Sequence, residues 1–188
     1  MKIIATTDSH FGHEMLVRNG YRPQGFEETL LNSMRASQGD LFLHLGDICF
    51  GDPIMWHERI MDSTNQFGKR ILVRGNHDNN SYSWYLSHGW DMVVEFVQLR
   101  LDGKEVLFSH MPLLREDVTP RLYHKPVINF PGPMHGKGKY SHRAGEVGDS
   151  IVTHGDSRLV FNYDIAPDSH KMQVVSINKL LSNLTKVP

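Results

Sequence analysis

The chain has 188 residues and a formal net charge of -1, enough for one domain with a substantial core, short for two, and without a global field toward nucleic acid or anionic membrane. One cysteine, Cys49, excludes an internal disulfide and a zinc ribbon, and beside a short apolar strand it reads as a small buried residue. The N-terminal run turns polar at Thr6-Thr7-Asp8, too early for a signal peptide, and no apolar run approaches the ~20 residues of a membrane span, so a soluble, cytoplasmic protein is expected.

Ile3-Ile4-Ala5 reads as a buried strand that delivers Asp8-Ser9-His10. Phe26 to Met34 has helical spacing, with Leu30, Leu31 and Met34 on one face. Leu41-Phe42-Leu43 is a second strand, ending at Gly46-Asp47, and Pro53 opens a helix running toward Thr64. Ile71-Leu72-Val73 is a third strand, ending at Gly75-Asn76-His77-Asp78. Val93 to Leu101 and Glu105 to Phe108 are strand-like and joined by Asp102-Gly103, a two-residue hairpin signal; the second ends at Ser109-His110. From about 112 to 149 periodicity fades and the segment reads as one long loop. Short strands resume near Ile151, Leu159-Val160-Phe161 and Val174-Val175, and Ile177 to Leu184 closes the chain as a helix. Residues 1–188 are read as one α/β domain of two stacked sheets with helices outside.

Histidine is the compositional outlier, with 12 residues, and several follow strands directly, where ligands belong on an α/β scaffold. Four strand ends each deliver a metal-competent group: Asp8 with His10, Asp47, Asn76 with His77, and His110. Singly, each has a bland reading as a helix cap or turn residue. Four together, on strand ends that gather along one sheet edge, point to a shared site. Carboxylate, imidazole and amide oxygen suit Mn²⁺, Fe or Zn²⁺ better than copper or Ca²⁺. Asp47, lying between two ligand groups in the chain, is the natural bridge for two ions ~3.5–4 Å apart.

Asp8-Ser9-His10-Phe11-Gly12-His13, Gly46-Asp47, Gly75-Asn76-His77-Asp78 and Ser109-His110 resemble, in order, the motifs of the calcineurin-like metallophosphoesterases, in their small bacterial and phage branch. The resemblance implies a four-layer α/β/β/α sandwich of two mixed sheets and hydrolysis of a phosphomonoester or phosphodiester at two divalent ions. Manganese is the first expectation, with Fe, Zn, Ni or Co as alternatives. It implies that Asp8 and His10 bind one metal, Asn76 and His110 the other, with Asp47 bridging and essential to catalysis. His77 is then the general acid or electrostatic stabiliser, since imidazole can pass a proton to a departing alkoxide. Asn76 also faces the substrate, and His13 is either a phosphate-side residue or a buried hydrogen-bonding one.

Two departures bear on the chemistry. The family's Gly-His-x-His motif is missing. The stand-ins are His135, in His135-Gly136-Lys137-Gly138-Lys139, and His154, in His154-Gly155-Asp156-Ser157-Arg158. The second runs into a strand as the usual motif does; there Asp156 could replace a histidine, whereas Arg158 cannot bind a cation. His142 is a further alternative. The Asp-Arg pair of protein phosphatases is also absent after Gly46-Asp47, which argues against a protein substrate. Arg22 is either a replacement phosphate contact or a surface arginine. Lys137, Lys139, His142 and Arg143 make the long loop locally basic, as a nucleotide or nucleic-acid pocket, a lid, or a solvated loop; Tyr140 alone is too little aromatic surface for base stacking. His44, His57 and His88 lie on strand or helix patterns and receive no function. The rival to an enzyme is a degenerate member that binds nucleotide, phosphate or a protein partner without turnover.

Overall fold

The computed structural model describes residues 1–111, 127–131, 150–152 and 160–183. The architecture is an α/β sandwich of two mixed five-stranded sheets with helices. In the first sheet, β1 (Ile3–Thr6), β2 (Leu41–His44), β3 (Lys69–Val73) and β4 (Met92–Val94) run parallel, and β10 (Val175–Ser176) joins β1 antiparallel. In the second, the order is β5 (Phe96–Leu101), β6 (Lys104–Ser109), β7 (Val127–Phe130), β9 (Val160–Asn162) and β8 (Ser150–Val152).

Strand alternation sorts the core into two clusters. Ile3, Ala5, Leu41, Leu43 and Val73 face the second sheet and pack with Val106, Phe108, Ile128 and Phe130. Ile4, Phe42 and Leu72 face the other way, against Leu30, Leu31 and Met34 of α2 (Phe26–Ala36) and Trp56 and Ile60 of α3 (Pro53–Ser63). Pro53 sits at the start of α3 as expected, and Asp52 caps it by accepting the N–H groups of Ile54 and Met55. The closing helix α5 (Ile177–Asn183) sends Ile177 and Leu181 into the inter-sheet core. Among the described residues no helix is long and apolar enough to cross a membrane.

Three expectations change. The run from Val93 to Leu101 is two strands, because the chain leaves the first sheet after Val94 and enters the second at Phe96. The long loop is interrupted by β7, whose four residues are buried between β6 and β9. A four-residue run with a polar Asn129 in it carries too little periodicity to be seen, yet burial on both faces makes it a central strand. Two short helices, α1 (Glu14–Arg18) and α4 (Tyr82–Ser87), were hidden for the same reason of length. The Asp102-Gly103 hairpin forms as expected, with φ of 48° and 80° at its two turn residues.

Candidate metal centre

The loops after β1, β2, β3 and β6 meet at one edge of the sandwich. The first two run side by side. The N–H groups of Asp8, His10 and Phe11 donate to the carbonyls of Gly46, Asp47 and Ile48 at 2.9, 3.1 and 3.0 Å, and Phe50 N–H returns to Phe11 at 2.8 Å. Asp8, His10 and Asp47 all hold left-handed backbone, with φ of 45°, 46° and 54°. That conformation is costly for residues with a Cβ and clusters at functional sites.

Glycine is required where two loops touch. A Cβ on Gly75 would stand 2.2 Å from Asp47 Oδ1, and one on Gly46 would stand 2.3 Å from Gly75 N. Asp78 cements this contact: its buried carboxylate accepts the N–H groups of Asp47 (2.9 Å), Ile48 (3.1 Å) and Gly75 (2.8 Å). Burial nonetheless raises the Asp78 pKa, outweighing those three donors.

Into this frame the expected side chains converge. His10 Nε2 lies 3.4 Å from Asp8 Oδ1 and 4.0 Å from Asp47 Oδ2. One ligand atom from each of Asp8, His10 and Asp47 falls within 4.8 Å of the others, all three residues being buried. On the far side of Asp47, Oδ1 is 3.5 Å from His110 Nε2, which is 3.0 Å from Asn76 Oδ1. The exposed ring of His77 stands at the mouth, with Nε2 3.9 Å from Asp47 Oδ2 and its backbone N–H on Asp47 Oδ1 at 2.8 Å.

The residues present fit cations. Asp47 Oδ2 is buried and accepts no hydrogen bond, a costly state for a carboxylate oxygen unless a positive charge faces it. On the other side, His110 Nδ1 donates to the Leu45 carbonyl at 2.7 Å. That leaves Nε2, in the neutral ring a metal ligand uses, with its lone pair turned toward Asn76 Oδ1 and Asp47 Oδ1. Three acceptors then face one another, the arrangement a divalent ion neutralises.

Several neighbours complete the site. Phe50 stacks on His13 at 4.2 Å and lies 5.4 Å from His10 and 5.2 Å from His77, centroid to centroid. Burial lowers the His13 pKa, and the charges of His10, Arg22 and His77 lower it further. His44 links the two first loops: Gly46 N–H donates to Nδ1 at 3.2 Å, Nε2 meets Ser9 Oγ at 2.8 Å, and Ser9 Oγ donates to the Ile48 carbonyl at 2.7 Å. Burial pushes the His44 pKa down to about 3, so its ring stays neutral. Cys49 is half-buried beside the site, and burial, with the charges of Asp78 and Asp52, pushes its thiol up to about 12, toward the protonated form.

Arg22 departs from both readings offered for it. It is buried, and its guanidinium is engaged by Asp168 and by the backbone carbonyls of Asp8 and Ser9. It therefore supports the first loop from behind instead of reaching toward a phosphate. His135, His142 and His154, with Asp156 and the basic residues Lys137, Lys139 and Arg143, lie outside the described residues. Sequence reasoning gave no role to Asp78, His44 or Phe50. For Asp78 there was a signal, a carboxylate three residues after a loop glycine, the usual setting for capturing backbone N–H groups.

A model of the calcineurin-like phosphoesterases matches residues 1–172. The chain belongs to that family, and its two-sheet α/β fold is the family's. Among solved structures, a protein of unknown function, AQ665, from Aquifex aeolicus is 21% identical, with a TM-score of 0.65 over 97% of this chain and 99% of that one. A novel archaeal phosphodiesterase is 17% identical, with a TM-score of 0.48 over 94% and 99% of the two chains. YfcE, a phosphoesterase from E. coli, is 15% identical, with a TM-score of 0.44 over 88% and 79%. No curated protein matches.

Proposed function

We propose that this protein hydrolyses a phosphomonoester or phosphodiester with two divalent cations held on either side of Asp47. The observation that carries the reading is the Asp47 carboxylate itself, buried, with Oδ2 toward His10, which also meets Asp8, and Oδ1 toward His110, which also meets Asn76. Asp8 and His10 would hold one ion, Asn76 and His110 the other, with Asp47 between. The donor set favours Mn²⁺, with Fe, Zn, Ni or Co as substitutes. His154, or else His135 or His142, would complete the coordination. When bound, such a pair lowers the pKa of water and neutralises phosphoryl oxygens.

The chain's own residues supply the rest. His77, at the open mouth with 47% of its side chain exposed, is placed to give a proton to the leaving oxygen. Asn76 can donate its amide N–H to a phosphoryl oxygen while its Oδ1 stays turned to His110. His13, behind Phe50, orients that ring and lines the phosphate side. The substrate is a phosphate ester, a nucleotide among the options, met in the cytoplasm. Turnover of bis-p-nitrophenyl phosphate with added Mn²⁺ tests this. Activity that chelator removes and metal restores is expected. The missing Gly-His-x-His motif favours the second reading, a family member that binds nucleotide, phosphate or a protein partner without turnover. Absence of turnover with Mn²⁺, Ni²⁺, Co²⁺ and Zn²⁺ alike would select it.

A further inference from the structure

We infer that Arg22 and Asp168 form a clamp that sets the backbone of the Asp8–His10 loop, and through it the strength of cation binding at Asp8 and His10. The inference rests on the metal-centre reading for its consequence, though not for its mechanism. Arg22 Nε and Nη2 fork onto the two carboxylate oxygens of Asp168 at 2.9 and 2.6 Å. The same guanidinium donates from Nη1 to the Ser9 carbonyl at 2.6 Å and from Nη2 to the Asp8 carbonyl at 2.7 Å. Four of its five N–H groups are thereby aimed, and its Cζ rests 4.9 Å above the Phe26 ring. Asp168 comes from a 3-10 turn, Pro167–His170, 146 residues away in the chain.

The clamp explains how a strained loop is held. Asp8 and His10 both have positive φ, and the two peptides between them, whose carbonyls belong to Asp8 and Ser9, must be fixed from outside because left-handed backbone is unfavourable for the residues that flank them. The Asp8, His10 and Phe11 N–H groups are fixed by the neighbouring loop; Arg22 fixes the opposite edge. Only a planar fork can reach two carbonyls and a carboxylate at once, so lysine cannot substitute. A buried cation also needs its anion, and Asp168, with 43% of its side chain exposed, is the partner. This makes both residues positioning residues for the site, without contact with substrate.

Amide hydrogen exchange on metal-free protein tests the clamp directly, alongside Mn²⁺ titration. Arg22→Lys and Asp168→Asn should each speed exchange at Asp8, His10 and Phe11 by about tenfold, the loss of one charge-assisted hydrogen bond. Exchange at Leu43 and Ile71 in the first sheet should not change. Both variants should weaken Mn²⁺ binding by about tenfold, whereas Asp91→Asn, which breaks the surface pair with Lys69, should leave it unaltered. Unchanged loop exchange in both variants would overturn the inference. So would uniformly faster exchange through the whole first sheet, which marks a merely structural ion pair. If Arg22→Lys fails to fold, the exposed Asp168→Asn decides. Should the wild-type protein bind no Mn²⁺, the metal-centre reading fails while the exchange result still judges the clamp.

Discussion

Asp78 Oδ2 accepts the backbone N–H of Asp47 at 2.9 Å, across 31 positions of sequence. One carboxylate thus fixes the peptide of another that lies at the centre of the candidate site. The second oxygen of Asp78 takes the next N–H, at Ile48, and the Gly75 N–H is also bound. Asp78→Asn replaces one acceptor by a donor facing backbone N–H groups. A loss of about 2–3 kcal/mol in unfolding free energy is expected by urea denaturation. A change below about 0.5 kcal/mol would show that the three bonds do not hold the loops.

The approach of Gly75 to Asp47 gives a steric prediction. With 2.2 Å from an added Cβ to Asp47 Oδ1, Gly75→Ala must push the carboxylate or the loop aside. Mn²⁺ affinity should fall by at least about tenfold while the circular dichroism spectrum stays native, since a displacement of a few tenths of an ångström misplaces a ligand. Gly103→Ala, where nothing lies within 4 Å of the added Cβ, strains its turn without touching the site and should leave Mn²⁺ affinity unaltered.

Asp47→Asn and His77→Ala separate holding from chemistry. The first should remove nearly all turnover and most bound metal, because a neutral amide cannot draw two cations together; more than about a tenth of wild-type activity would contradict that. The second should lower turnover with metal content almost unchanged by elemental analysis. Loss of metal in His77→Ala would make His77 a ligand.

Stability should decline in mild acid. His57 is buried on α3 with Nδ1 on the Pro53 carbonyl at 2.7 Å. Burial, opposed by that bond and reinforced by His88, pushes its pKa down to about 4 from 6.5. The folded state resists protonation that the unfolded chain accepts. Stability from this group is therefore complete above pH 6.5 and is lost as pH falls to about 4, on the order of 3 kcal/mol in all. His44, lowered further, steepens the same decline. Thermal unfolding midpoints between pH 7 and 4 should fall less steeply in His57→Gln. An identical slope in that variant would remove His57 from the account.

Much of the site was legible because its residues follow strands directly: Ile3-Ile4-Ala5 announces Asp8 and His10, and Ile71-Leu72-Val73 announces Asn76 and His77. Parallel pairing of β1, β2 and β3 then brings their ends to one edge. What escaped is what depends on distance in sequence. Nothing local to Arg22 points to Asp168, which meets it from a 3-10 turn 146 positions further along the chain. Likewise β7 is a strand because β6 and β9 flank it, not because Val127–Phe130 has a strong pattern of its own.

We propose that Asp47 stands between two cations. Anomalous diffraction from crystals grown with Mn²⁺ measures this most directly. Two peaks about 3.5–4 Å apart on opposite sides of the Asp47 carboxylate are expected, one beside Asp8 and His10 and one beside Asn76 and His110. A single peak, or peaks away from Asp47, would contradict it.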